Sequence, residues 1–403
     1  MAAPDSAYAR YALDAARVSM LVAAASLPLS TAATNAFSIF GLLCWAASGQ
    51  WRPAFDAIRA LPAAWLCMAL LAALLAGAAW SLAPPKEAFG AVLKYRELAL
   101  FGIVAFLFAE ERWRQRLLWC FFAGSLVLLG FSLAIQLGLF SFADERGFSS
   151  AQNAVLLKNH ITHGFVMSLV AFGAAVLGLR CRGWRRWALA AVALLAAANV
   201  WFAVQGRTGY VVMTVLVLWL AYRRWSVKGL AGGAIGVVLA LSAAYQWAPA
   251  FQARVGETVD QARDYEQQRH RSIGSRLHFW KRSGEWLARH PLLGAGTGGW
   301  AEAFYQATEG EDRFMHNRDR NHPHNEYVHL AVQLGPLGLA LFVALLVVSF
   351  RSAARLPGDY AVLAQGFVLA FAVGCLFSDF LWDSTEGHLW ALLGGALFSS
   401  ARS

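Results

Sequence analysis

Long apolar runs separated by short polar stretches dominate the chain, with Ala63 to Trp80, Leu117 to Phe140, Ala188 to Val204 and Leu337 to Phe350 as examples. A helix needs roughly 20 mostly apolar residues to cross a bilayer, and only helices and closed barrels satisfy their backbone polar groups in lipid. The runs lack the period-two alternation of barrel strands, so the pattern predicts an all-α integral membrane protein. About twelve transmembrane helices are expected, at residues 17–31, 33–48, 62–82, 98–109, 115–140, 161–179, 187–204, 209–222, 229–247, 325–350, 359–379 and 386–401. This divides the chain into helices one to nine over 1–247, a large loop with its own helix over 248–324, and helices ten to twelve over 325–403.

Composition agrees, since 58% of residues are hydrophobic and only 14% charged, against about a quarter charged in a soluble domain. Lys and Arg crowd one set of connections, at Arg112 to Arg116, Arg180 to Arg186, Arg223 to Lys228 and Arg351 to Arg355. The opposite short connections hold only Lys86, Lys94, Arg96, Arg146, Lys158 and Arg207. The positive-inside rule then places both termini, and Arg402, in the cytoplasm and the long loop outside. Because that topology takes up half of the basic residues behind the +10 formal charge, nucleic-acid binding is not expected. The five cysteines avoid the long loop, so neither a disulfide framework nor a CxxC metal site is read. The first apolar run counts as one span among many rather than a cleavable signal, because Asp5 and Asp14 spoil a basic n-region.

The few outward cations need a reason. Lys94, Arg96, Lys158 and Arg207 each sit beside a span end, and Arg207 lies in the tight turn Gln205-Gly206-Arg207-Thr208-Gly209. An ionisable group at a membrane boundary is a functional candidate, although a snorkelling arginine is the bland alternative. Inside the loop, Arg271 to Arg289 reads as a helix whose apolar face is Ile273, Leu277, Trp280, Gly284 and Leu287. Arg276 flanks that face on a helix expected to lie on the membrane surface, where a guanidinium can grip a phosphate bidentately. Gly294, Gly296 and Gly299 satisfy GxGxxG but follow a helix rather than a strand, so they are read as a packing turn. His324 is expected in the first turn of the next span, after Pro323. There the helix dipole keeps the imidazole neutral and able to accept a proton. No HExxH spacing or cysteine partner accompanies His322 and His324, so no metal is assigned.

His322-Pro323-His324-Asn325-Glu326-Tyr327, followed by Leu334-Gly335-Pro336-Leu337-Gly338, resembles the signature of the O-antigen ligase and polymerase superfamily. Ser275 to Trp280 with His290 to Gly296, and the turn Gly206 to Gly209, are similar to two further elements of that family. The resemblance is specific over roughly residues 200–345. It implies a glycosyltransferase of the bacterial inner membrane with a periplasmic active site. The donor would be an undecaprenyl-diphosphate-linked glycan and the acceptor a sugar hydroxyl of lipid A-core, in lipopolysaccharide biosynthesis. Polymerisation of O-antigen, or oligosaccharide transfer to protein hydroxyls, is the alternative within the same superfamily.

The residues suit that chemistry. A departing diphosphate gathers negative charge, which Arg207 and Arg276 would stabilise. His324 would act as general base in a single inverting displacement. Lys94, Arg96, Lys158, His322 and Asn325 are the expected substrate-binding residues. Neither metal nor cofactor is expected, because the donor arrives activated; membrane lipids are the other partners. A paired-carboxylate mechanism would draw on Glu302, Glu309, Glu311 and Asp312. A polysaccharide transporter or flippase is the different-class alternative, disfavoured by the scarcity of charge within the spans. Asp379, Asp383 and Glu386 either orient a cation or mark a span boundary.

Overall fold

The structure is a computed structural model that describes residues 6–139, 153–247, 249–263, 272–312, 315–317 and 320–399. Arg146, Ala248, Arg271, Arg402 and the last residues of the 115–140 and 386–401 stretches lie outside them. All regular structure among the described residues is helical. In chain order the helices are α1 Ala7–Ser26, α2 Thr31–Ala47, α3 Trp51–Arg59, α4 Pro62–Gly77, α5 Pro85–Lys94, α6 Glu97–Leu107, α7 Glu111–Gln136, α8 His160–Gly178 and α9 Trp184–Ala198. They continue with α10 Arg207–Trp247, α11 Pro249–Arg263, α12 Ser272–Arg289, α13 Trp300–Ala307, α14 Glu326–Ala353, α15 Asp359–Gly374, α16 Ser384–Leu389 and α17 Gly395–Ser399. Local sequence sets several starts. Ser6, Ser30, Asn159 and Asn325 each accept a backbone N–H from the first turn of the helix that follows, which satisfies a donor the helix itself cannot.

Each of the twelve apolar stretches overlaps helix, but fewer helices can cross a membrane unaided. Among the described residues six are long and apolar enough, or seven if α2 and α3, bent by 112° at their junction, form one broken span. The shortfall has particular causes. Helix α6 has 11 residues and α15 has 16. The stretch after Asp383 is divided by a π-helical segment, Trp390–Gly394. Helix α10 bends where Trp225 and Ser226 leave helical geometry, between the expected 209–222 and 229–247 stretches.

The main core draws on α1, α4, α6 to α8, α10 and α14 to α17. At one end of this bundle arginines pair with carboxylates: Arg17 with Glu110 at 3.0 Å, Arg180 with Asp359 at 2.6 Å, and Arg114 with Glu111. At the other end a smaller aromatic core of Phe279, Trp286, Trp300 and Phe304 folds the 272–312 segment onto α14. This core corrects the expected face of α12. The buried positions are Gly274, His278, Phe279, Ser283 and Trp286, about one residue round from the predicted stripe. Phe279 and Trp286 turn inward, and Trp300 donates its indole N–H to Ser283 at 3.0 Å. The helix therefore covers a protein core, with Trp280 and Leu287 at its margin.

The glycine turn after α12 packs the loop tightly, as expected. Ala295 bonds both neighbours, accepting from Leu82 at 2.8 Å and donating to Val332 at 2.7 Å. Gly296 has φ of 75° and sits so close to the segment that follows α4 that a Cβ would lie 2.2 Å from the Ser81 Cα. Gly335 interrupts α14 with φ of 63°, and its bare Cα lets the Leu292 carbonyl approach. From this turn a buried polar chain runs through the molecule. Gly298 N–H donates to Gln333 at 2.7 Å, Gln333 to the Tyr95 hydroxyl at 3.1 Å, and Tyr95 to Glu326 at 3.2 Å. Glu326 also accepts the Leu381 N–H at 2.8 Å.

Gly296→Ala should lower the midpoint of thermal unfolding in detergent, by the equivalent of about 1–3 kcal/mol, because the added carbon meets backbone. Gly90→Ala, where an added Cβ meets nothing within 4 Å, should leave the midpoint unchanged or raised. Equal midpoints for the two variants would contradict the tight docking of the turn.

Candidate functional site

The site lies where the loop core meets the start of α14 and the segment joining α15 to α16. Asp379 stands at its centre with no solvent exposure. His322 Nδ1 donates to Asp379 Oδ2 at 2.7 Å. His329, on the first turns of α14 and equally buried, brings its Nδ1 to 3.1 Å from the other carboxylate oxygen, in contact but off the hydrogen-bond line. Burial alone would raise the Asp379 pKa, but these two imidazoles outweigh it and hold the carboxylate below its ordinary range. Burial likewise disfavours a charge on His322, and Asp379 reverses that, raising His322 above the usual histidine value.

His324 lies just outside α14 rather than in its first turn. Asn325 is the N-cap, and His324 precedes it with φ of 56°, a left-handed conformation rare for residues other than glycine. The turn sets the two rings edge-to-face with centroids 4.3 Å apart, and lays His324 parallel to Phe279 at 6.4 Å. Burial, then the neighbouring charges of His322 and Arg276, lower the His324 pKa to about 3. The expected neutrality is present, with desolvation and cations as its chief causes. Two adjacent imidazoles are thus driven in opposite directions, an arrangement that separates a charge-bearing role from a proton-accepting one.

Arg276 projects from α12 toward this pair. Burial and the like charge of Arg207 both work against its cationic form, while Asp379 favours it. Arg207 opens α10 in a turn held by buried polar groups. His163 meets Asn199 at 2.9 Å, Asn199 donates to Ser132 at 2.7 Å, and Ser132 donates to the Ala154 carbonyl. Asn199 begins a π-helical segment that ends at Ala203. The Gln205 N–H is taken by Asn153 at 3.1 Å. Arg207 itself stands 3.6 Å from Glu257 of α11. Arg207, Arg276, His322 and His324 therefore come from three separate segments into one electrostatic neighbourhood.

The remaining predicted residues divide between two places. Lys94 lies over the Trp382 ring at 5.5 Å and its charge reaches both His322 and Asp383. Burial pushes the Asp383 carboxyl up to about 6. Arg96 and Lys158 belong to an adjoining polar group at the ends of α2, α6 and α16. Arg96 pairs with Glu97 at 3.0 Å and bonds Asn35. Lys158 donates to Thr31 at 2.8 Å and Thr385 at 3.0 Å, and burial lowers its pKa against the pull of Glu386. Asn325 is occupied structurally at both ends of its amide, accepting from Val328 at 3.1 Å and donating to Leu376 at 3.2 Å.

Among the loop carboxylates, Glu311 keeps only 9% of its side chain exposed. It lies 2.8 Å from His278 and pairs with Arg282, clamping the end of the loop core onto α12 two residues beyond Arg276. The ligand atoms of His322, His324 and Asp379 fall within 4.8 Å of one another. That spacing would let the three groups hold a cation, while His322 and Asp379 share a hydrogen bond at 2.7 Å. Sequence reasoning left Asp379 between two roles, weighed Glu311 only as one of four loop carboxylates, and passed over His329. Histidine at positions 322 and 329, which brackets the start of a span, was the available signal for a shared buried partner.

No curated protein matches the chain. Residues 192–343, which include Arg207, Arg276, His322 and His324, match the O-antigen ligase family, and over that segment the chain is similar to its members.

Proposed function

We propose that the protein is an inverting glycosyltransferase that moves a glycan from undecaprenyl diphosphate to a sugar hydroxyl of lipid A-core at the periplasmic face of the inner membrane. The observation that carries this reading is the convergence of two arginines and two oppositely tuned histidines at one end of the apolar helices. Arg276 and Arg207 receive the diphosphate, which displaces the long Arg207–Glu257 pair. His322, kept cationic by Asp379, adds a third positive group. An arriving diphosphate offsets the positive charges around His324 and raises its proton affinity toward neutral pH. The acceptor oxygen attacks the anomeric carbon opposite the diphosphate, His324 takes the hydroxyl proton, and the breaking C–O bond leaves its electron pair on the diphosphate. Fixed cations stabilise that charge as it develops, with no reorganisation during the step.

The test is reconstitution of purified protein with lipid-linked glycan and acceptor, scored by covalent product. Product on lipid A-core supports ligation. Product on a second repeat unit or on protein hydroxyls moves the assignment to the alternative branches of the superfamily, and no product with any acceptor defeats the enzymatic reading. In this assay His324→Ala should lower turnover by about 10²- to 10⁴-fold, the usual worth of a general base, while donor affinity is kept.

Arg207→Lys distinguishes a point charge from a planar fork. If bidentate contact with the diphosphate is needed, kcat should fall toward the ~10²- to 10³-fold loss typical of a missing electrostatic donor. Retention of wild-type kcat would remove that requirement.

The raised pKa of His322 sets the pH dependence of donor affinity. Its cationic form is the one that binds, so affinity should be highest below that pKa and weaken as pH rises through it. In Asp379→Asn the hydrogen-bonded anion is gone, burial then dominates, and the weakening should move to lower pH. Donor KM measured across pH for both proteins reads this directly, and superimposable profiles would contradict the role of Asp379.

A further inference from the structure

A cavity of about 630 Å³ opens between α7, α8 and α15, far from the histidines. The three helices agree on its position. On α8 the end near Gly164 packs on Gly209, beside Arg207, whereas the cavity meets Leu169 to Leu177. On α7 Ser132 belongs to the network beneath the Arg207 turn, whereas the cavity meets Glu111 to Phe122. On α15 the cavity meets Asp359 to Phe367, and the chain reaches Asp379 only beyond the other end. The 16 residues of α15, at about 1.5 Å each, separate the two ends by about 24 Å.

The interior is apolar, with walls that include Leu118, Trp119, Phe122, Phe172 and Leu363, and its volume is that of a small-molecule site. The mouth is polar, framed by Glu111, Gln115, Asp359 and Tyr360. Both carboxylates there already have partners. Glu111 accepts from Tyr360 at 2.7 Å and pairs with Arg114, and Asp359 pairs with Arg180. The connections that border this end, residues 110–116, 180–186 and 351–359, carry nine arginines against three carboxylates. Cationic charge therefore remains in excess around an apolar pocket between membrane helices, which is the combination that holds an anionic lipid.

We infer that this cavity is a binding site for the acyl chain of an anionic phospholipid, whose phosphate lies among the arginines at the mouth. The site is separate from the donor site and places a structural or modulating lipid on the arginine-rich end of the bundle. Gly173 gives a clean probe, because it lines the cavity and an added Cβ there meets nothing within 4 Å.

The experiment compares full-length protein, Gly173→Leu and Leu363→Trp in nanodiscs of phosphatidylglycerol or phosphatidylcholine, with bound lipid read by native mass spectrometry. Wild type should retain a phosphatidylglycerol molecule through delipidation and not a phosphatidylcholine. Each cavity-filling variant should lower that retention about tenfold, since lost burial of even two chain methylenes is worth that factor. In Arg116→Gln/Arg180→Gln the preference between the two headgroups should fade while a lipid is still held. Undiminished phosphatidylglycerol in a cavity-filling variant that keeps its unfolding midpoint overturns the proposal. So does equal wild-type retention of both lipids, or a wild-type dimer that becomes monomeric when the cavity is filled, since a second copy is then the occupant.

Discussion

Asp379 places a carboxylate where water does not reach, and an uncompensated charge in such a place is severely destabilising. Its compensation is His322 on one oxygen and His329 against the other. These contacts tie the segment after α15 to the start of α14 and to the strained turn at His324. The positions of the His322 and His324 imidazoles thus follow from the need to satisfy one buried anion. The same interaction divides the histidines electrically: His322 gains a charge-stabilising partner, and His324, next to it, feels the resulting positive charge without sharing the anion's hydrogen bond.

A second constraint operates on the loop. Its turn at Gly294 to Gly298 reaches into the bundle, and the chain through Gln333, Tyr95 and Glu326 connects it to Leu381, two residues after Asp379. Within low-dielectric surroundings each link of such a chain must be made, because a polar group left unpaired is costly. Helix α12 is held by the same logic on its other side through Glu311, His278 and Arg282. Arg276 is therefore borne on a helix fixed from both flanks, even though it belongs to the long connection between α10 and α14.

What was legible in the sequence follows the range of the interactions. Apolar runs identify helices because the bilayer constraint acts on each segment alone, and the turn around Arg207, the α12 arginine and the HxHN element stood out in short windows. The face of α12 was misread by about one residue because the periodicity counted Ile273 and Leu277, while tertiary packing chose Phe279 and Trp286. Asp379 lies 57 positions from His322, and Glu311 looked like one acid in a polar stretch. Nothing within a helical turn of either residue announces its partner. Span number suffered in a related way, since short helices such as α6 are buried by neighbours, and length alone does not classify them.

The two ends of the bundle handle arginine differently, and the difference bears on what each end can recruit. At the Glu110 and Glu111 end, guanidinium groups sit beside carboxylates that consume part of their charge. Around Arg276, among the described residues, the anion that favours its charge is Asp379, already committed to His322. A cation placed near another cation and partly out of water is a standing demand for an anion, and a diphosphate meets it with several oxygens at once. For the lipid-linked donor proposed above, the exposed Leu, Val and Phe side chains along the helices would meet its apolar body. A donor of the proposed kind would need both, a cationic site for its head and an apolar surface for its tail, to react without leaving the membrane.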